Sequence, residues 1–231
     1  MNLSRFYATL LALVVPASAQ IVITETYGYT VGSAAGDIPD TGAMSVFSAV
    51  TTSSQITSLT QVRIVLNLSG TTAGNGWAGD MFVSVNRDLG ERTAILLNQP
   101  GVSSENPAGY GFDGWNVTFS DSALADIHSG QPVSPATILT GGWQPDGRLD
   151  PADTARPASL AVFNGLPGNG TWYLNIADLA DTASMTLHSW DLVLTGYSPV
   201  PEPEHYATLS GVALATFAWL AKRRNAAMPR D

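Results

Sequence analysis

The chain has 231 residues, no cysteine, and 19 acidic against 10 basic side chains, for a net charge of −9. The missing cysteines exclude disulfide scaffolds, thiolate metal sites and cysteine nucleophiles. An acidic balance of this size also argues against nucleic acid and anionic headgroups as partners, because affinity for both rests on Lys and Arg.

At the start of the chain, Arg5 precedes an apolar run from Phe6 to Val15, followed by Pro16-Ala17-Ser18-Ala19. Small residues at the minus-three and minus-one positions predict signal-peptide cleavage between Ala19 and Gln20. Residues 20–199 then offer 180 positions, enough for one domain with a sizeable core. They hold 16 Asp and Glu against 5 Arg and no Lys, a net charge of −11. Gly, Thr, Ser and Asn abound and no long amphipathic helix pattern is visible, which points to an all-β domain with many turns.

Ile21 to Glu25 reads as a first strand, Gly32 to Thr41 as a turn-rich stretch and Ala43 to Val50 as a second strand. Val62, Ile64, Leu66 and Leu68 alternate, as do Met81, Val83 and Val85, so each set shares one face of a strand. Thr93 to Leu97 is a further strand, closed by Asn98-Gln99-Pro100-Gly101. Residues 101–158 are less regular. There Trp115 to Phe119 reads as a strand, Ser122 to Ile127 as one helical turn, and Trp143 to Pro151 as an exposed loop. Leu160 to Phe163 is short and apolar, and the turn Asn164-Gly165 follows. Trp172, Leu174 and Ile176 share one strand face and Trp190, Leu192 and Leu194 another, with Asp178 to Ser189 as a hairpin loop between them. Short alternating strands so often broken by glycine predict two antiparallel sheets packed face to face, in a single domain.

Gly170 to Asp178, followed by His188-Ser189-Trp190-Asp191-Leu192-Val193-Leu194, resembles the closing hairpin of the P domain (P/Homo B) that accompanies subtilisin-like proprotein convertases. Pro157 to Gly165 resembles its preceding strand, Gly79-Asp80-Met81 its Gly-Asp-Leu, and Ile38-Pro39-Asp40 its opening turn. The similarity covers residues 21–197 and implies a jelly-roll-like β-sandwich. It departs from the family in residues 101–158, and at His188, where a small polar residue is commoner. P domains follow a protease domain, for which 231 residues leave no room.

For acid–base chemistry the domain offers only His128 and His188, since His205 lies in the tail. No Gly-x-Ser-x-Gly elbow is present, so both read as ordinary loop histidines and the chain as non-catalytic. Calcium fits the composition better, because hard cations take carboxylate and carbonyl oxygens from loops. The candidates are Asp80, Asp178 and Asp181, with Asp146, Asp150 and Asp153 in the Pro-rich loop, and Asp80 and Asp178 are the preferred Ca2+ ligands. None shows EF-hand spacing, and carboxylates that cap turn amides account for most of them without an ion. Trp77, Trp115 and Trp143 sit among glycines and polar residues, as on a sugar-stacking surface, whereas Trp172 and Trp190 belong to the core.

The tail has three parts in fixed order: Pro201-Glu202-Pro203, the uncharged run Tyr206 to Ala221, and Lys222-Arg223-Arg224. Two prolines hold the first part extended, and the basic cluster resists translocation. The 16-residue run would span about 24 Å as a helix, short of a hydrocarbon core of about 30 Å. This arrangement resembles the PEP-CTERM sorting signal of bacterial exported proteins, which implies recognition by an exosortase-type membrane transpeptidase. The expected organisation is a signal peptide (1–19), a β-sandwich (20–199) and a sorting signal with a short transmembrane helix (200–231). The expected role is a non-catalytic structural or interaction module, first held at the inner membrane and then delivered to the cell envelope or extracellular matrix. Its expected partners are the translocation machinery, the exosortase, and exopolysaccharide or an envelope protein. The rival readings are a polysaccharide-binding module, an accessory domain stabilising a separate protease, and a hydrolase.

Overall fold

The computed structural model describes residues 19–30, 36–39, 42, 45–71, 76–88, 92–181 and 183–200. Pro201, Glu202, Pro203, Lys222, Arg223 and Arg224 lie outside them, as does all of the signal peptide before Ala19. Among the described residues nine strands follow in chain order: β1 (Gln20–Thr30), β2 (Ser45–Thr52), β3 (Ser58–Gly70), β4 (Met81–Arg87), β5 (Arg92–Asn98), β6 (Gly114–Phe119), β7 (Ile138–Trp143), β8 (Gly170–Asp178) and β9 (Met185–Pro199). Short 3-10 turns occupy Ala78–Asp80, Ile127–Ser129 and Leu160–Phe163. Among the described residues no helix is long and apolar enough to cross a membrane. Val22–Ser198 forms one compact unit that contains the core. Of the other unit, residues 19–21 and 199–200 are described, and there the Val200 N–H donates to the Ala19 carbonyl at 2.9 Å.

Two sheets make a β-sandwich. One has the order β1-β9-β3-β6-β7 and the other β2-β8-β4-β5. Alternation sets the inner faces: Val62, Ile64, Leu66 and Leu68 of β3 and Leu187, Trp190, Leu192 and Leu194 of β9 are buried in one sheet, opposed by Met81, Val83 and Val85 of β4 and Trp172, Leu174 and Ile176 of β8 in the other. Strand β9 keeps its apolar row inward only because it carries a bulge. Leu68 pairs with Leu187 and Asn67 with Ser189, so His188 is the extra residue that moves the inward positions from odd to even numbers.

Several expectations change. Strands β8 and β9 do not form a hairpin, because they lie in opposite sheets. Each carries a row of large apolar side chains, and in opposite sheets the two rows face one another and fill the interior. Leu160–Phe163 is a 3-10 turn rather than a strand, with Phe163 edge-on to Trp172 at 4.8 Å between ring centroids. The expected helical turn at Ser122 to Ile127 shifts to Ile127–Ser129. Strand β7 is new, and it pairs with β6 in parallel. Residues 120–137 supply the long crossover that a parallel pair requires.

The stretch after β7 is not an exposed loop either. The Asp146 and Gly147 N–H groups donate to the Leu96 and Ile95 carbonyls, and the Ile95 N–H donates to the Ala158 carbonyl, so this segment covers the outer edge of β5. That contact brings Asp146 into the interior.

Candidate functional site

The densest polar cluster lies where the 3-10 turn Ile127–Ser129 meets the segment covering β5. Asp126 caps the turn, accepting from the His128 backbone N–H at 3.0 Å. The His128 ring is then held from both sides: Nδ1 lies 2.7 Å from Asp146 Oδ2, and Nε2 lies 3.1 Å from the Val102 carbonyl. Both partners are acceptors, so the site favours the protonated ring, in which both nitrogens donate. Burial works against that charge, but the hydrogen bond and charge of Asp146 outweigh it and raise the His128 pKa above its ordinary value.

Asp146 is fully buried and is also met by the guanidinium of Arg148, 3.1 Å from Oδ1. The same guanidinium forks onto Asp126 at 2.6 and 3.3 Å. Burial would raise the Asp126 pKa, but the Arg148 hydrogen bond, the His128 N–H and the charges of Arg148 and Arg156 bring it below the usual carboxylate range. Arg156 closes the cluster, donating to the Asp146 carbonyl at 2.8 Å, to Gln144 Oε1 and to the Pro145 carbonyl. Three cations and two carboxylates thus form a satisfied ionic lock that ties the 100–110 loop, the 3-10 turn and the 144–156 segment together.

This geometry suits fastening rather than proton transfer. A general base needs a nitrogen lone pair aimed at its substrate, and in a Ser–His–Asp arrangement Nε2 faces the hydroxyl. Here Nε2 faces a carbonyl. His128 is therefore not the ordinary loop histidine expected. Nor is Asp146 a calcium candidate, because its oxygens are taken by His128 and Arg148. Asp150 caps the Ala152 N–H at 2.9 Å, as a turn residue does. The other histidine, His188, stands on its bulge with Nε2 2.8 Å from Ser69 Oγ. This pair is exposed, and among the described residues no hydrogen bond or ion pair joins His188 to a carboxylate.

Of the residues preferred for calcium, Asp80 ends the turn Ala78–Asp80 and Asp178 ends β8. Strand pairing places them at neighbouring positions, since Met81 pairs with Asp178 and the Leu179 N–H donates to the Asp80 carbonyl at 2.9 Å. Among the described residues no group of three or more His, Asp or Glu side chains able to hold a metal is found. The predicted cleavage residues Ala19 and Gln20 are both exposed, and Gln20 opens β1.

The expected tryptophan surface is dispersed. Trp115 is fully buried, edge-on to Phe112. Trp143 is half-buried, and its indole N–H donates to the Thr140 carbonyl at 2.9 Å. Trp77 alone of the three is an exposed ring, with 38% of its surface accessible.

No family model and no curated protein matches this chain. Among solved structures, the serine protease of Aeromonas sobria shares 16% identity at a TM-score of 0.41, over 80% of this chain and 28% of the protease chain. The complex of that protease with its chaperone (ORF2) gives 16% identity and a TM-score of 0.39, over 81% and 28%. The chain thus spans well under a third of the protein it matches. A likeness this slight supports no statement about what the chain binds or does.

Proposed function

We propose that this chain is an exported, non-catalytic β-sandwich serving as an interaction module for another protein at the cell envelope or in the extracellular matrix. The observation that carries the reading is the commitment of both nitrogens of the half-buried His128 to acceptors within an ionic lock, which favours a fastened, protonated ring over one with a lone pair free to act as a base. The address rests on the sequence, on the signal-peptide pattern before Gln20 and on the three-part tail after Val200. Two measurements test it. A fluorophosphonate probe should leave every serine unlabelled, and labelling at Ser69 would return the chain to the hydrolases. Mass spectrometry of the protein from an exosortase-bearing host should find Gln20 at the amino terminus and a processed carboxyl terminus, and an uncut cytosolic product would end the export reading.

The resemblance of Gly170 to Asp178 and His188 to Leu194 to a P domain favours one narrower version, an accessory module for a protease encoded elsewhere. Co-expression should then raise the protease's melting temperature, and an unchanged value removes this version.

A further inference from the structure

Cleavage after Ala19 makes Gln20 the first residue, and the fold leaves that residue free to react. Gln20 is exposed, and it opens β1, the outer strand of the five-stranded sheet. Among the described residues its carboxamide makes no hydrogen bond. Before the cut its nitrogen is an amide, and resonance commits the lone pair to the Ala19 carbonyl, whose oxygen accepts from the Val200 N–H at 2.9 Å. After the cut the same nitrogen is an α-amine with a pKa of about 7.7–8.0, so a sizeable fraction is neutral and nucleophilic near pH 7. The carboxamide carbon of the same residue lies within reach through a five-membered ring, and intramolecular attack of this kind has a high effective concentration. Gln55, Gln61, Gln99, Gln131 and Gln144 lack the option, because their nitrogens stay acylated.

We infer that Gln20 closes the mature amino terminus as pyroglutamate. The α-nitrogen bonds to Cδ, the bond from Cδ to Nε2 breaks, and a proton passes from the amine to the leaving group, which departs as ammonia. No oxidant, reductant or cofactor takes part. The ring suits its place at the start of an edge strand. An open end would set an ammonium, which only donates, beside the Val200 N–H that loses its acceptor with Ala19. The lactam removes the charge and leaves a carbonyl on that nitrogen. It also withdraws the free amine by which an aminopeptidase holds its substrate. The next residues, Ile21 and Val22, are 52% and 61% exposed, so an open end could be trimmed into the strand.

This inference rests on the export reading, and the two failures look different. A chain that still begins at Met1 ends both, whereas a free amine on Gln20 of a correctly cut chain ends only the ring. The test uses the protein exported by an exosortase-bearing host, with free amines acetylated at collection so that no ring closes during handling. Residues 20–199 hold no Lys, so acetylation there reports the terminus alone. Peptide mass spectrometry should find the Gln20 peptide unacetylated and lighter by one ammonia, and pyroglutamyl aminopeptidase should then expose Ile21. Gln20→Ser keeps a small polar residue after the cut but has no carboxamide, so its terminus should be acetylated. Without the acetylation step, a broad-specificity aminopeptidase should strip Ile21 and Val22 from that variant while the parent resists. An acetylated Gln20, a terminus at any other residue, or a parent trimmed as fast as the variant would each overturn the proposal.

Discussion

The indole N–H of Trp190, in the five-stranded sheet, donates to Ser48 Oγ in the four-stranded sheet at 2.9 Å, and both residues are buried. This is a polar rivet through an otherwise apolar interior. Ser48→Ala leaves the N–H buried with no acceptor, which costs about 1–3 kcal/mol. Urea unfolding should show a lower midpoint with an unchanged slope. In a double-mutant cycle with Trp190→Phe, the two losses should be less than additive.

The ionic lock gives stability a pH window with two different edges. His128 has a raised pKa, so its contribution is complete below the unfolded value of about 6.5 and is lost as pH rises through the folded value. Asp126 has a lowered pKa, so its contribution is present above the unfolded value of about 3.9 and is lost as pH falls through the folded value. Stability from this cluster is therefore greatest between roughly pH 4 and 6.5. Melting temperatures of the parent and of His128→Gln, measured from pH 4 to 10, should lie furthest apart in that interval and converge on the alkaline side.

Arg148 faces Asp126 and the fully buried Asp146 at once. Arg148→Met leaves the buried Asp146 with His128 as its remaining cation and takes the fork from Asp126, a loss of about 1.5–3 kcal/mol. Arg148→Lys keeps the charge but not the fork, and its melting temperature should fall between the two. A lysine variant as stable as the parent would show that the fork contributes nothing.

Two glycines should respond oppositely to the same methyl group. A Cβ at Gly79 would lie 2.2 Å from the Ala108 carbonyl oxygen and 2.8 Å from the Gly109 Cα, both backbone atoms that cannot swing aside. Gly79→Ala should cost about 1–3 kcal/mol and broaden the Trp77 indole signal. At Gly142 nothing lies within 4 Å, so Gly142→Ala should be neutral or stabilising by up to about 1 kcal/mol. Thermal melts of the two variants beside the parent check both signs.

The strands rich in alternation were legible because period two is a local signal. Val62 to Leu68, Met81 to Val85, Trp172 to Ile176 and Trp190 to Leu194 each announce an inner face. Which strands become neighbours is not local. The rows led by Trp172 and Trp190 suit a hairpin and opposite sheets equally well, and the interior decides between them. Strand β7 escaped notice because Thr140-Gly141-Gly142 has neither alternation nor β-branched bulk beyond its first residues; it is held by β6. The lock was hidden for a similar reason. Asp126, His128, Asp146, Arg148 and Arg156 fall on two irregular stretches, and only the covering of β5 by residues 146–158 brings them together. The short spacings Asp126-x-His128 and Asp146-x-Arg148 were the available hint, since each pair puts opposite charges within one turn.

Strand β9 lies between β1 and β3, and its pairing with β3 joins Ser58 to Tyr197. Strand β2 likewise awaits β8, with Ser45 opposite Ile176. Contacts so distant in sequence close late. A ribosome must release nearly the whole domain before its central ladder can zip, and until then the nascent polypeptide stays slack, the form that can be threaded through a membrane pore.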